Sequence, residues 1–343
     1  MKRIAIIGAG SWGTALAIVA ARGGHEVRIW SRNATVVESI NRDQVNSLYL
    51  AGAPLPDGVC ATLHIPEALE DADFAIMAAP SHATRGLLGT MAPALRSEMI
   101  IVSATKGIEI ETGKRISQVV AEVVPNATRR RFVCLSGPSF AKEVVEKHPT
   151  AIVAASEDAE ACRMVQSELS FQNLRIYTND DVVGTELGGS VKNVMAIAAG
   201  MVAGLGFGSN SIAALITRGL AEMTRLALSE GARLETLMGL AGLGDLVLTC
   251  NGGLSRNRFV GQELGKGRGL GEIEAGMNEI AEGVKTTLAV KRLAERKGVE
   301  MPITNEVHAV LYERKPASDA VNALMTRPLK EEGNWYDAGS RSV

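Results

Sequence analysis

The chain of 343 residues contains only four cysteines and almost no imbalance of charge. Cys60, Cys134, Cys162 and Cys250 are widely scattered and form neither a metal-ligand spacing nor a disulfide framework, so a reducing cytoplasm is the simpler setting. His25, His64, His82, His148 and His308 are equally dispersed, and no metal site is expected. The 36 basic and 38 acidic residues leave a net charge of −2, which argues against a general nucleic-acid binder. A local basic pocket for a small phosphorylated molecule is invisible in such a total. The start Met-Lys-Arg-Ile lacks the long apolar region and cleavage site of a signal peptide, so export is not expected. The apolar stretch from Met195 to Ile216 is broken by Gly204, Gly206, Gly208 and Ser209-Asn210-Ser211, and Lys192 and Arg218 flank it. It reads as a buried helix pair, with no integral membrane association expected. Ser136-Gly137-Pro138-Ser139 lacks the Gly-x-Ser-x-Gly alternation, which leaves a hydrolase triad unsupported.

What the sequence does contain begins with Gly8-Ala9-Gly10-Ser11-Trp12-Gly13, between the apolar run Ile4 to Ile7 and a periodic segment through Leu16, Val19 and Ala20. The pattern predicts strand, tight turn, helix. Gly8 would make the turn, Gly10 would let a pyrophosphate approach the backbone, and Gly13 would allow close packing of helix on strand, with a merely structural glycine turn as the plain alternative. A second strand, Glu26 to Trp30, ends in Ser31-Arg32 without the carboxylate that favours NAD. Arg32 suits the extra phosphate of NADP or stacking on adenine, leaves NAD open, and has an ordinary exposed helix-start residue as its plain alternative. Further strands are expected at Phe74 to Ala79, Met99 to Ala104, Phe132 to Leu135, Thr150 to Ala155 and Leu174 to Tyr177. The alternation favours a doubly wound α/β sheet over a barrel, giving a Rossmann-like dinucleotide-binding domain over 1–180. Long helical patterns at Val191 to Ala203, Ile212 to Glu230 and Ala281 to Lys297 then predict a mostly α-helical substrate and catalytic domain over 181–343. Its polar tail, from Lys330, is expected to be partly mobile.

Several side chains carry chemistry. Lys106 follows the Met99 to Ala104 strand as a phosphate or substrate contact, or as a loop lysine facing solvent. The constrained turn with Ser139 either faces a ligand or simply ends a strand. Lys192 precedes an apolar helix; near a nicotinamide it would exchange a proton with an alcohol or ketone, and otherwise it caps or packs. Asp245 either holds Lys192, contacts substrate hydroxyls or caps a helix. Ser255-Arg256-Asn257-Arg258 groups a hydroxyl, a guanidinium and an amide, with Arg256 the stronger anion-binding candidate. His82, after a strand, has only a minor claim to catalysis.

These motifs, together with Lys106-Gly107-Ile108-Glu109, Leu135-Ser136-Gly137-Pro138-Ser139-Phe140-Ala141, Glu186 to Asn193 and Leu240 to Leu246, closely resemble the bacterial NAD(P)-dependent glycerol-3-phosphate dehydrogenase family. The resemblance runs from about residue 2 to 335, and the ordered combination is highly specific. It implies Lys192 as the proton-transfer residue, and substrate contacts at Lys106, Gly137, Ser139, Asp245, Ser255, Arg256 and Asn257. It also implies cofactor contacts at Ser11, Trp12, Arg32, Lys106, Ala141, Arg256, Ile280 and Glu282, with either NAD or NADP. The implied reaction interconverts sn-glycerol 3-phosphate and dihydroxyacetone phosphate for phospholipid synthesis, in a cytoplasmic homodimer. A beta-hydroxyacid dehydrogenase and a non-enzymatic NAD(P)-sensing dimer are the alternative readings.

Overall fold

The computed structural model describes residues 1–125, 128, 130–277, 281–329 and 331–332. The expectation for the polar tail concerns residues that, apart from 331–332, lie outside them. Eight strands form one open sheet: β1 (Arg3–Ile7), β2 (Glu26–Trp30), β3 (Val59–Thr62), β4 (Phe74–Met77), β5 (Ile100–Ser103), β6 (Phe132–Ser136), β7 (Thr150–Ala155) and β8 (Leu174–Asn179). Their order is β3-β2-β1-β4-β5-β6-β7-β8. Every residue of β4 and β5 is buried, as expected of strands covered on both faces.

The first six strands are parallel and follow the order of a dinucleotide-binding sheet, so the strand order reverses between β1 and β4. β7 runs antiparallel to β6, with Leu135 opposite Ala154, and β8 is parallel to β7. That reversal is not evident from the strand pattern. The link between β6 and β7 holds only the short helix Ala141–Val145.

The chain divides into two compact units: residues 1–106 with 116–182, and residues 107–115 with 183–343. The short segment Gly107–Arg115 thus groups with the helical unit, although the chain around it is sheet. Ile108 is buried in the apolar cluster of that unit, and the Arg115 guanidinium donates to Glu186 at 2.8 Å. A single division near residue 180 does not contain this excursion.

The helical unit is built on the helix Val182–Gly204, which is apolar around most of its circumference and buried accordingly. Among the described residues it is the one helix long and apolar enough to cross a membrane, yet 89% of its apolar window is buried inside the fold. The helix Ser209–Ser229 follows after a break at 205–208, so the Met195 to Ile216 stretch is a helix pair. Against the first helix lies Arg256–Gly265 at backbone contact. A Cβ on Gly200 would stand 2.1 Å from the Arg258 carbonyl oxygen, and one on Gly261 2.0 Å from that of Ile197. This approach brings Asn193 and Asn257 to facing positions.

Candidate active site

In the sheet unit, the glycine turn sits at the carboxyl end of β1, where an open α/β sheet places its ligands. Gly8 has φ +120°, and a Cβ there would stand 2.8 Å from the Ala78 carbonyl oxygen. A Cβ on Gly13 would stand 2.0 Å from the Gly8 carbonyl oxygen, so the helix Ser11–Arg22 could not close on the turn. At Gly10 the same construction meets nothing within 4 Å. Gly8 and Gly13 therefore serve packing, whereas Gly10 borders open space.

The helix above the turn has no acidic residue in its first turn and no side-chain cap at Gly10, leaving its N-terminus suited to an anion. The Trp12 Nε1 is buried without a hydrogen-bond partner among the described residues. An unused buried donor, an uncapped helix end and a bare glycine edge together fit the phosphates and polar edges of a dinucleotide. Ser11 is already engaged, its Oγ donating to the Tyr49 carbonyl at 2.8 Å. Asn46, fully buried, braces the turn through Nδ2 to the Ala9 carbonyl and the Thr14 hydroxyl, both at 2.8 Å. Nothing in the sequence marks Asn46, because its partners lie more than thirty positions away.

Trp30 pairs with Ile7, so Arg32 leaves β2 at the same sheet edge as the glycine turn. It is exposed, and the following helix is capped instead by Asn33, whose side chain accepts from the Thr35 N–H at 2.9 Å. Lys106 follows β5 and donates to the Gly137 carbonyl at 2.8 Å, with the Ser139 hydroxyl at 3.5 Å. Gly137, at φ +128°, shapes that turn. Lys106, Gly137 and Ser139 thus form one cluster, with Ala141 opening the next short helix. His82 is exposed in the turn after β4.

In the helical unit, Lys192 is 6% exposed and Asp245 0% exposed. The ammonium donates to Asp245 Oδ1 at 2.5 Å and to Thr249 Oγ1 at 2.7 Å. Asp245 and Thr249 lie one turn apart on the helix Asp245–Asn251, and the Thr249 hydroxyl donates back to the Asp245 carbonyl at 2.6 Å. Thr249 escaped sequence reading, although its spacing from Asp245 was a usable signal. Burial pushes the neighbouring Cys250 thiol up to about 12, so it stays protonated and is a poor nucleophile.

Ser255 caps the helix Arg256–Gly265, its Oγ accepting from the Arg258 N–H at 3.2 Å. Arg256 is exposed at the first position of that helix. Asn257 is buried; its Nδ2 donates to Asn193 Oδ1 at 3.0 Å, and its Oδ1 accepts from the Gly283 N–H at 2.8 Å. Glu282 opens the helix Glu282–Lys297, while Ile280 lies outside the described residues. Among the described residues, no group of three or more His, Cys, Asp or Glu side chains is arranged to hold a metal ion.

Residues 3–162 match the family described as NAD-dependent glycerol-3-phosphate dehydrogenase N-terminus, and residues 181–322 match its C-terminus. The chain belongs to this family. A relative from Koribacter versatilis (strain Ellin345), named glycerol-3-phosphate dehydrogenase [NAD(P)+], is 55% identical over 334 residues, covering 97% of this chain and 99% of its own. One of the same name from Geobacter sulfurreducens is 53% identical over 331 residues, covering 96% and 99%. The solved structure of the Coxiella burnetii glycerol-3-phosphate dehydrogenase superposes with a TM-score of 0.91 at 41% identity, covering 95% of this chain and 99% of that one. The dehydrogenase family therefore accounts for both units of the chain, the sheet with its glycine turn and the helices with their buried lysine.

Proposed function

We propose that the protein transfers hydride reversibly between sn-glycerol 3-phosphate and dihydroxyacetone phosphate, using NAD or NADP. The observation that carries this reading is the buried Lys192–Asp245–Thr249 cluster, in a family whose relatives bear that activity in their name. In this reading Gly8, Gly10 and Gly13 shape the turn for the dinucleotide. Ser11, Trp12, Arg32, Lys106, Ala141, Arg256, Ile280 and Glu282 hold it. When bound, the nicotinamide supplies the hydride for ketone reduction and accepts it in the reverse direction.

Lys192 handles the proton at the oxygen of the second substrate carbon. In reduction its ammonium gives a proton to that oxygen as the carbonyl becomes an alcohol; in oxidation the neutral amine takes it back. Asp245 stabilises the charged form by direct pairing, and Thr249 fixes the third dimension of the amine's direction by accepting one of its protons. Lys106, Gly137, Ser139, Ser255, Arg256 and Asn257 contact the substrate, the cations neutralising its phosphate and the polar groups ordering its oxygens.

The same reading places the protein in the cytoplasm as a homodimer supplying glycerol 3-phosphate for phospholipid synthesis. It is supported by the family resemblance and by the scattered cysteines. The test is cofactor oxidation with dihydroxyacetone phosphate against unphosphorylated dihydroxyacetone, with NADH and with NADPH, and with the product identified. Phosphate-dependent turnover is expected. Comparable efficiency for both ketones would contradict the phosphate contacts, and turnover of a carboxylate substrate alone would move the protein to the beta-hydroxyacid dehydrogenases.

A further inference from the structure

The helix Glu282–Lys297 begins at Ala281, which has no side chain able to cap it. Its second residue, Gly283, would leave an unsatisfied N–H in a buried place, and the acceptor that meets it is the Asn257 amide oxygen at 2.8 Å. A side-chain amide has two near-isosteric orientations, and a backbone N–H can only donate. Gly283 therefore holds the Asn257 oxygen toward itself and turns the NH2 the other way. One of those protons goes to Asn193 Oδ1 at 3.0 Å. Among the described residues, the other has no partner.

Space permits this arrangement only at a glycine. A Cβ on residue 283 would stand 2.7 Å from the Asn193 carbonyl oxygen and 2.7 Å from Asn257 Oδ1 itself. Asn193, Asn257 and Gly283 each follow, by one position in the chain, Lys192, Arg256 and Glu282. Three helices carrying the proton-transfer, phosphate and cofactor candidates are thus linked by one pair of hydrogen bonds to the Asn257 amide.

We infer that Gly283 is a positioning residue: by donating to Asn257 it fixes that amide so that an N–H, and not an oxygen, is offered to an anionic or hydroxyl oxygen of the substrate. Asn193 supports the same orientation from the other side. This rests on the proposed reduction of dihydroxyacetone phosphate. The role is one of binding, because Gly283 itself touches no reacting atom.

The experiment is a double-mutant cycle on the full-length protein, reading kcat and KM for dihydroxyacetone phosphate at saturating cofactor. Gly283→Ala should raise KM about tenfold, the worth of one well-made hydrogen bond, with kcat within about threefold of wild type. Asn257→Ala should do the same. Because both act through one amide, the double variant should resemble the worse single, not show the roughly hundredfold product. Asn193→Ala, which adds no bulk, should give the same split and the same non-additivity, and it decides the matter if Gly283→Ala does not fold. Multiplicative penalties, or a wild-type KM in Gly283→Ala, would overturn the assignment. Absence of dihydroxyacetone phosphate turnover in the wild-type protein would instead overturn the reaction on which it rests.

Discussion

Replacing Asp245 by Asn keeps the shape of the side chain and one accepting oxygen but removes the charge opposite Lys192. Both partners are buried, so water cannot stand in for the lost carboxylate. Removing one member of a buried ion pair costs about 3–5 kcal/mol, since the remaining charge is left uncompensated. The retained oxygen and the Thr249 hydroxyl, at 2.7 Å from the ammonium, place the expected loss toward about 3 kcal/mol. For a chain of 343 residues, unfolding with about 2.1 cal/mol/K per residue, that corresponds to a fall in Tm of roughly 4 °C, measurable by calorimetry at neutral pH.

The functional consequence is separable from the loss of stability. Without the neighbouring anion the buried amine parts with its proton more readily, so the limb of the pH–rate profile that reports Lys192 should move to lower pH. Turnover at saturating substrate should fall at least about tenfold, because orientation as well as charge is lost. The assay is kcat across pH at 25 °C, well below the lowered Tm. A variant that loses stability but keeps wild-type kcat and an unmoved pH profile would show that the pair is architectural and would refute the reasoning for its part in proton transfer.

Other consequences are equally direct. Arg32→Ala should weaken NADPH more than NADH, read as the two KM values; equal losses, or a selective loss of NADH, would exclude a phosphate contact at Arg32. Glu222 is 2% exposed and accepts from the Ile303 and Thr304 N–H groups at 2.6 and 3.2 Å, and burial pushes its carboxyl up from 4.5 to about 7. The folded state thus holds this proton more tightly than the unfolded chain, so its contribution to stability is greatest below about pH 4.5 and falls, by about 3 kcal/mol, as pH rises to 7. Glu222→Gln cannot ionise and should gain on wild type by that amount across the window in urea unfolding, whereas parallel stability–pH curves would contradict the raised carboxyl.

The residues most legible in the sequence are those whose type leaves few choices. Gly8 and Gly13 stand where a Cβ would strike the Ala78 and Gly8 carbonyl oxygens, and such positions announce themselves as glycines between a strand and a helix. β4 and β5 were visible as short apolar runs because burial on both faces removes any polar alternation. The direction of β7 was not visible, since an apolar run such as Thr150–Ala155 reads the same whichever way it pairs with its neighbour. Nor was the grouping of Gly107–Arg115 with the helical unit, which depends on where Ile108 is buried and on the Arg115–Glu186 pair across 71 positions. Thr249, one helical turn from Asp245, had a local signal in that spacing, whereas Asn46, Asn193 and Gly283 have ordinary side chains, or none, and acquire their roles from partners distant in sequence. A local pattern carries no trace of such a partner.

The central claim, that Lys192 moves the proton, is tested most directly by the turnover of Lys192→Ala across pH with dihydroxyacetone phosphate and cofactor both saturating, on protein shown to be folded. The account predicts a fall in kcat of about a hundredfold or more, with no recovery at higher substrate concentration. A folded variant with essentially wild-type kcat at every pH would contradict it.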